Sequence, residues 1–104
     1  MVKIVWTELS IQDLKEIFEY IAENSDRFAS ITVNKIYRKV QLIVNNPSLG
    51  KIVVEFNDKS IRELTEGNYR IIYRIKNKIQ VDILRIYHSA RLMKQNNISG
   101  TRFK

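Results

Sequence analysis

The 104 residues predict one α+β domain: an N-terminal strand, a two-helix hairpin, then an antiparallel meander, with the helices packed on one face of a four-stranded sheet. Two observations predict it. Apolar residues recur at helical spacing from Leu14 to Val44, and after Gly50 the period changes to β-branched and aromatic runs separated by turn residues. Amphipathic helices need an apolar surface to cover, and a sheet supplies one.

The elements follow in order. Lys3–Trp6, with Val2 before it, is a short apolar run that reads as a strand. Thr7 or Ser10 then offers an N-cap, and Ser10 with Asp13 three residues on resembles a capping box. Leu14, Ile17, Phe18 and Ile21 fall at i, i+3, i+4 and i+7, one stripe of a helix. The acidic residues of this helix, among them Glu16, Glu19 and Glu23, are read as its solvated side. Asn24-Ser25-Asp26 breaks the helix and caps a second, whose stripe is Val33, Ile36, Tyr37, Val40, Ile43 and Val44. The run Asn45-Asn46-Pro47-Ser48-Leu49-Gly50 stops it. Ile52 to Phe56 is β-branched and aromatic, and Asn57-Asp58-Lys59 reads as a turn. Ile61–Leu64 and Tyr69–Ile75 pair around Glu66-Gly67-Asn68, a hairpin signal. Asn77 marks the next turn and Ile79–Tyr87 the last long strand. Arg91–Asn97 reads as a short helical end and 99–104 as a loose tail, so the domain is expected to span 1–98.

Strand alternation puts Tyr69, Ile71, Tyr73 and Ile75 on one face, the better core face, and Arg70, Ile72 and Arg74 on the other, expected to stay uncovered. The expected core includes Ile17, Phe18, Val40, Ile71 and Tyr73.

Composition excludes several classes. Cysteine is absent, so there are no disulfides or thiolate metal sites, and a single histidine argues against zinc. No cofactor is expected. The isolated glycines Gly50, Gly67 and Gly100 form no phosphate loop. No apolar run has membrane-spanning length, and Met1–Trp6 leads directly into a strand pattern without a visible signal peptide, so a cytoplasmic protein without membrane contact is expected. The net charge is +7, unevenly distributed. Residues 1–58 carry seven Lys/Arg against eight Asp/Glu, and residues 59–104 carry eleven against three. Such a basic half attracts nucleic acid or an acidic protein partner.

Arg62, Arg70, Arg74, Arg85 and Arg91 lie with the lone histidine, His88, within consecutive strands and their exit. Arginine is costly on a strand unless it meets water or an anion. Metal-free RNA cleavage would need a base for the 2′-hydroxyl, an acid for the leaving oxygen and cations for the phosphorane. His88 suits the acid; Arg62, Arg70 and Arg85 suit the clamp, because guanidinium matches phosphate geometry. Glu55 and Glu63 are the candidate bases. Arg74, Arg85 and Arg91 are candidate contacts to an anion or a target.

The Trp6 strand end, Asp13-Leu14…Ile17…Tyr20-Ile21, Pro47-Ser48-Leu49-Gly50, and Ile61-Arg62-Glu63-Leu64…Gly67-Asn68-Tyr69-Arg70-Ile71-Ile72-Tyr73-Arg74…Ile83-Leu84…His88…Arg91, in this order, resemble the RelE/ParE toxin superfamily over about residues 3–93. The resemblance implies the toxin of a type II toxin–antitoxin system, wrapped and silenced by a cognate antitoxin in a heteromeric complex. It implies one of two targets. The RelE branch cleaves mRNA in the ribosomal A site, and Arg70, His88 and Arg62 would then be catalytic. The ParE branch inhibits DNA gyrase. The lysine pair of RelE is lacking beside Arg62-Glu63-Leu64, and no tyrosine follows Arg91, so the pattern is closer to ParE. Gyrase inhibition is therefore the expected activity, with ribosome-dependent mRNA cleavage as the alternative.

Overall fold

A computed structural model describes residues 1–89. The elements run β1 (Lys3–Trp6), α1 (Glu8–Ala22), α2 (Asp26–Gln41), a 3-10 turn (Leu42–Val44), β2 (Lys51–Ile52), a second 3-10 turn (Val54–Phe56), β3 (Ile61–Glu66), β4 (Tyr69–Ile75) and β5 (Gln80–His88). The sheet has five strands in the order β1-β5-β4-β3-β2, one more than expected. The extra strand is β2, where Lys51 and Ile52 pair with Glu63 and Arg62. It ends at once because Val54–Phe56 coils and Asn57 takes a left-handed φ of 48°, which asparagine tolerates. The apolar run 52–56 is therefore mostly not strand. β1 pairs with β5 in parallel and the remaining pairs are antiparallel, so the helix hairpin carries the chain from one edge of the sheet to the other. The helical end expected at Arg91–Asn97 and the tail at 99–104 lie outside the described residues.

Both helices start on side-chain caps. Thr7, not Ser10, caps α1: its Oγ1 accepts from the Ser10 amide at 3.2 Å and donates to the Ile83 carbonyl at 2.7 Å. One hydroxyl thus satisfies a free helix donor and ties the helix start to β5. Ser10 is buried and donates to the Thr7 carbonyl. Ser25 caps α2 by accepting from the Phe28 amide at 3.0 Å. The β3–β4 hairpin closes through Gly67-Asn68, with Gly67 at φ +58°. A positive φ at the first central residue of a two-residue turn matches strand twist, which is why glycine stands there.

The core has two parts. On the helix side, Val2, Ile36, Val40, Ile43, Leu64, Ile71, Tyr73, Val81, Ile83 and Ile86 pack together, with Leu14 and Ile17 of α1 against them. Of the expected core, Val40, Ile71 and Tyr73 are fully buried, while Ile17 and Phe18 are only half-buried. The opposite face is not open as alternation suggested. Val53, Ile61, Ile72, Leu84 and Tyr87 form a second apolar cluster there, with Phe56 beside it. Ile72, assigned to the uncovered face, has no solvent exposure. The segment after β2 supplies Val53 and Phe56 to this face, and both parities of β4 are thereby buried. A bulge between Ile72 and Tyr73, opposite Arg85 and Ile83, breaks the alternation along β5.

Candidate functional site

Each described arginine of the basic half meets an acceptor within the chain. Arg70 donates from Nε to Glu63 Oε1 at 2.7 Å, with Nη2 also at 2.7 Å, and the pair is largely buried. Arg62 donates to the carbonyls of Gly50 at 2.8 Å and Ser48 at 3.3 Å, and its Nε is buried with no hydrogen-bond partner among the described residues. Arg74 lies 3.7 Å from Asp58 on an exposed rim. Arg85 closes on Asp13 of α1 through two contacts, Nε to Oδ2 at 2.9 Å and Nη2 to Oδ1 at 3.1 Å, and rests 4.9 Å over the Tyr87 ring. These hydrogen bonds to Asp13 hold the Arg85 guanidinium above its already high ordinary pKa. Arg91 lies outside the described residues.

Asp13 does a second task. It accepts the Ile86 amide at 2.8 Å, beyond the point where β1 ends at its pairing with Ile83. A strand edge left by a short neighbour has unpaired amides. Here a helix carboxylate replaces the missing strand and is itself neutralised by Arg85. Asp13 is thus not part of a solvated helix face. Spacing held the clue: Ser10, Asp13 and Ile17 fall three and four residues apart on the inward side of α1.

His88 is exposed at the end of β5. It pairs across the sheet with Tyr69, and the two rings meet edge to face at 5.3 Å. Around them lies a cavity of about 720 Å³ lined by Asp13, Glu16, Ile17, Tyr20, Tyr69, Ile86 and His88. A second cavity, of about 560 Å³, shares Tyr20 and Tyr69 and extends past Phe28, Lys35 and the Gly67-Asn68 turn. Tyr20 is 75% exposed and Phe28 61%. Burial, and next the neighbouring Tyr20, push the Tyr69 phenol above its ordinary pKa. Tyr20 and Tyr69 appear in the sequence only as part of the family pattern and, for Tyr69, of the core face of its strand; nothing local marks them as lining a common cavity.

The candidate residues do not converge. His88 and Tyr69 share the helix side of the sheet, whereas Arg70 pairs with Tyr87 and lies on the opposite face with Glu63 and Ile72. Arg62 stands opposite Tyr73 and is spent on the loop before β2. Of the candidate bases, Glu63 is closed on Arg70, and Glu55 is exposed in the 3-10 turn.

The same architecture occurs in solved toxin–antitoxin structures. The chromosomal ParDE system of P. aeruginosa contains a chain that superposes with a TM-score of 0.70 at 26% identity, covering 85% of this chain and 96% of that one. The RelBE2 toxin–antitoxin complex of Mycobacterium tuberculosis gives a TM-score of 0.56 at 21% identity, covering 84% and 96%, a likeness of fold. No curated protein matches the chain. The model of the family described as the ParE toxin of the type II toxin–antitoxin system, parDE, matches residues 4–93, from β1 past the end of β5. The chain therefore belongs to the ParE toxin family.

Proposed function

We propose that this chain is the toxin of a type II toxin–antitoxin pair, that it arrests growth in the cytoplasm by binding DNA gyrase, and that a cognate antitoxin holds it silent. The observation that carries the choice of target is the separation of Arg70 and His88 onto opposite faces of the sheet. A cleavage site needs acid, base and cationic clamp within hydrogen-bond reach of one phosphate. Arg70 faces Glu63, Arg62 faces backbone carbonyls and His88 faces Tyr69. These contacts favour a protein that inhibits by occupying a surface. The neighbours named as toxin–antitoxin complexes support an antitoxin partner, and exposed Tyr20 and Phe28 beside the cavities give it an apolar surface to cover.

Two assays on purified protein test the target: gyrase supercoiling, and mRNA cleavage on translating ribosomes. Inhibition of supercoiling is expected, and His88→Gln is expected to retain it, since no proton is transferred. Cells would show DNA-damage signalling before translation falls. Cleavage of mRNA at the ribosomal A site that disappears in His88→Gln overturns the proposal in favour of the nuclease.

A further inference from the structure

The chain carries a positive net charge, yet the outer side of α1 is acidic: Glu8, Glu16 and Glu19 lie on it, followed by Glu23 at its C-cap, with Lys15 among them. The cavity around Tyr20, Tyr69 and His88 opens on this helix. Its walls are aromatic and aliphatic, and Glu16 stands exposed on its lining with one amide hydrogen bond, from Gln12 at 3.0 Å. Asp13, the other carboxylate of the lining, is already satisfied by Arg85 and the Ile86 amide. Arg85 makes its direct contacts to Asp13 and the Tyr87 ring and feels Glu16 only as the least of the charges around it, and Lys35 belongs to the adjoining cavity.

From this arrangement we infer that the cavity is a receptor for an arginine side chain presented by a protein partner. A planar guanidinium stacks on tyrosine faces and pairs with a carboxylate through two parallel donors, which a lysine ammonium does less well. Glu16 supplies the carboxylate, Tyr20 and Tyr69 the rings, and Ile17 and Ile86 receive the methylene stem. Nucleic acid is excluded as the occupant of this face, because its phosphates would meet Glu16 and Glu19. The cavity belongs to the surface that the antitoxin would cover, so the inference deepens that reading and rests on it for the identity of the partner.

The test is a solution titration of the full chain, followed through the ring resonances of Tyr20, Tyr69 and His88. The probes are N-acetyl-arginine amide and its uncharged isostere N-acetyl-citrulline amide, at constant ionic strength. Arginine is expected to shift all three rings saturably, with citrulline about fivefold weaker or more. Glu16→Gln and Tyr20→Leu, both at exposed positions, are each expected to weaken arginine about two- to fivefold without changing the unfolding midpoint. Equal binding of citrulline, an unaltered titration in Glu16→Gln, or shifts spread evenly over Glu8, Glu19 and Glu23 would each overturn the inference.

Discussion

The two faces of the sheet bury their central residues by different means. On the helix side, Ile36, Val40 and Ile43 descend from α2 and the turn after it onto Leu64, Ile71, Tyr73, Val81 and Ile83. On the other side, Ile61, Ile72, Leu84 and Tyr87 are met by Val53 and Phe56 from an irregular segment, and ion pairs of Arg70 and Arg74 stand beside them. The arginines differ accordingly. Arg85 is bidentate to a carboxylate that also caps a strand edge, with both side chains mostly buried, whereas Arg74 and Asp58 stand 3.7 Å apart and well exposed. The same two residue types are structural in one place and close to neutral in the other, because desolvation decides what an ion pair contributes.

The largest effect should come from the helix side. Tyr73→Ala removes a fully buried ring and both contacts of its hydroxyl, and is expected to cost about 3–5 kcal/mol in urea denaturation. Ile72→Ala probes the other face and is expected to cost about 2–5 kcal/mol if that cluster is core of equal standing. A loss below about 1 kcal/mol for Ile72→Ala would mean that the second face is only a covered surface.

The two ion pairs come next. Asp13→Ala removes the carboxylate that closes on a mostly buried guanidinium and accepts the Ile86 amide, so a loss of about 3 kcal/mol is expected. Arg74→Ala should lie within about 0.5 kcal/mol of the parent. Equal losses for the two variants in the same denaturation series would remove the distinction between them.

Much of this was legible beforehand. The glycine hairpin, the cap within Asn24-Ser25-Asp26, the order of elements and most of the helix stripes rest on local signals that survive in the structure, but Tyr37 of the second stripe is 49% exposed. What escaped depends on long-range geometry. β2 is two residues long, too short to show a period of two. The bulge beside Tyr73 shifts the parity of β5, and its place depends on the pairing with β4 rather than on any turn residue in the strand. Spacing puts the acid at position 13 on the inward side of α1, but its role as acceptor for β5 shows only once β1 is seen to end at Trp6, opposite Ile83. One missed feature was readable: Ile71-Ile72-Tyr73 is apolar on both parities, the mark of a strand covered on both faces. Of the candidate site, sequence located Arg62, Arg70 and His88 on their strands and put Arg70 on the face away from the helices, but assigned no side to Arg62 or His88 and did not show what each arginine would be engaged with.

The loop before β2 joins the faces and gives an intermediate effect. Tyr73 Oη accepts from the Gly50 amide at 2.8 Å and donates to the Pro47 carbonyl at 2.7 Å, while Arg62 holds the Gly50 carbonyl. Burial lifts the Tyr73 phenol above its ordinary pKa, keeping the donor neutral. A Cβ at Gly50 would stand 2.6 Å from the Glu63 carbonyl and 2.8 Å from the Tyr73 ring, so Gly50→Ala must displace backbone and should cost about 1–3 kcal/mol. Tyr73→Phe keeps the ring and loses only the hydroxyl, about 1–2 kcal/mol. A Gly50→Ala variant as stable as the parent would show that this loop moves freely off β3.

The smallest effect concerns Asp58 on the exposed rim. Its carboxyl is held below the ordinary 3.8 first by the hydrogen bonds from the Ser60 hydroxyl, at 2.6 Å, and amide, at 2.9 Å, and only last by Arg74. A depressed carboxylate contributes stability that is present above its unfolded pKa and is lost as pH falls through the folded value. The contribution therefore disappears on acidification below 3.8, and Ser60, not the ion pair, should set where. Titrating the Asp58 carboxyl carbon by NMR checks the order. Ser60→Ala is expected to raise its midpoint toward 3.8 by more than Arg74→Ala does. The reverse order would make Arg74–Asp58 a working ion pair, and would remove the distinction drawn between it and Asp13–Arg85.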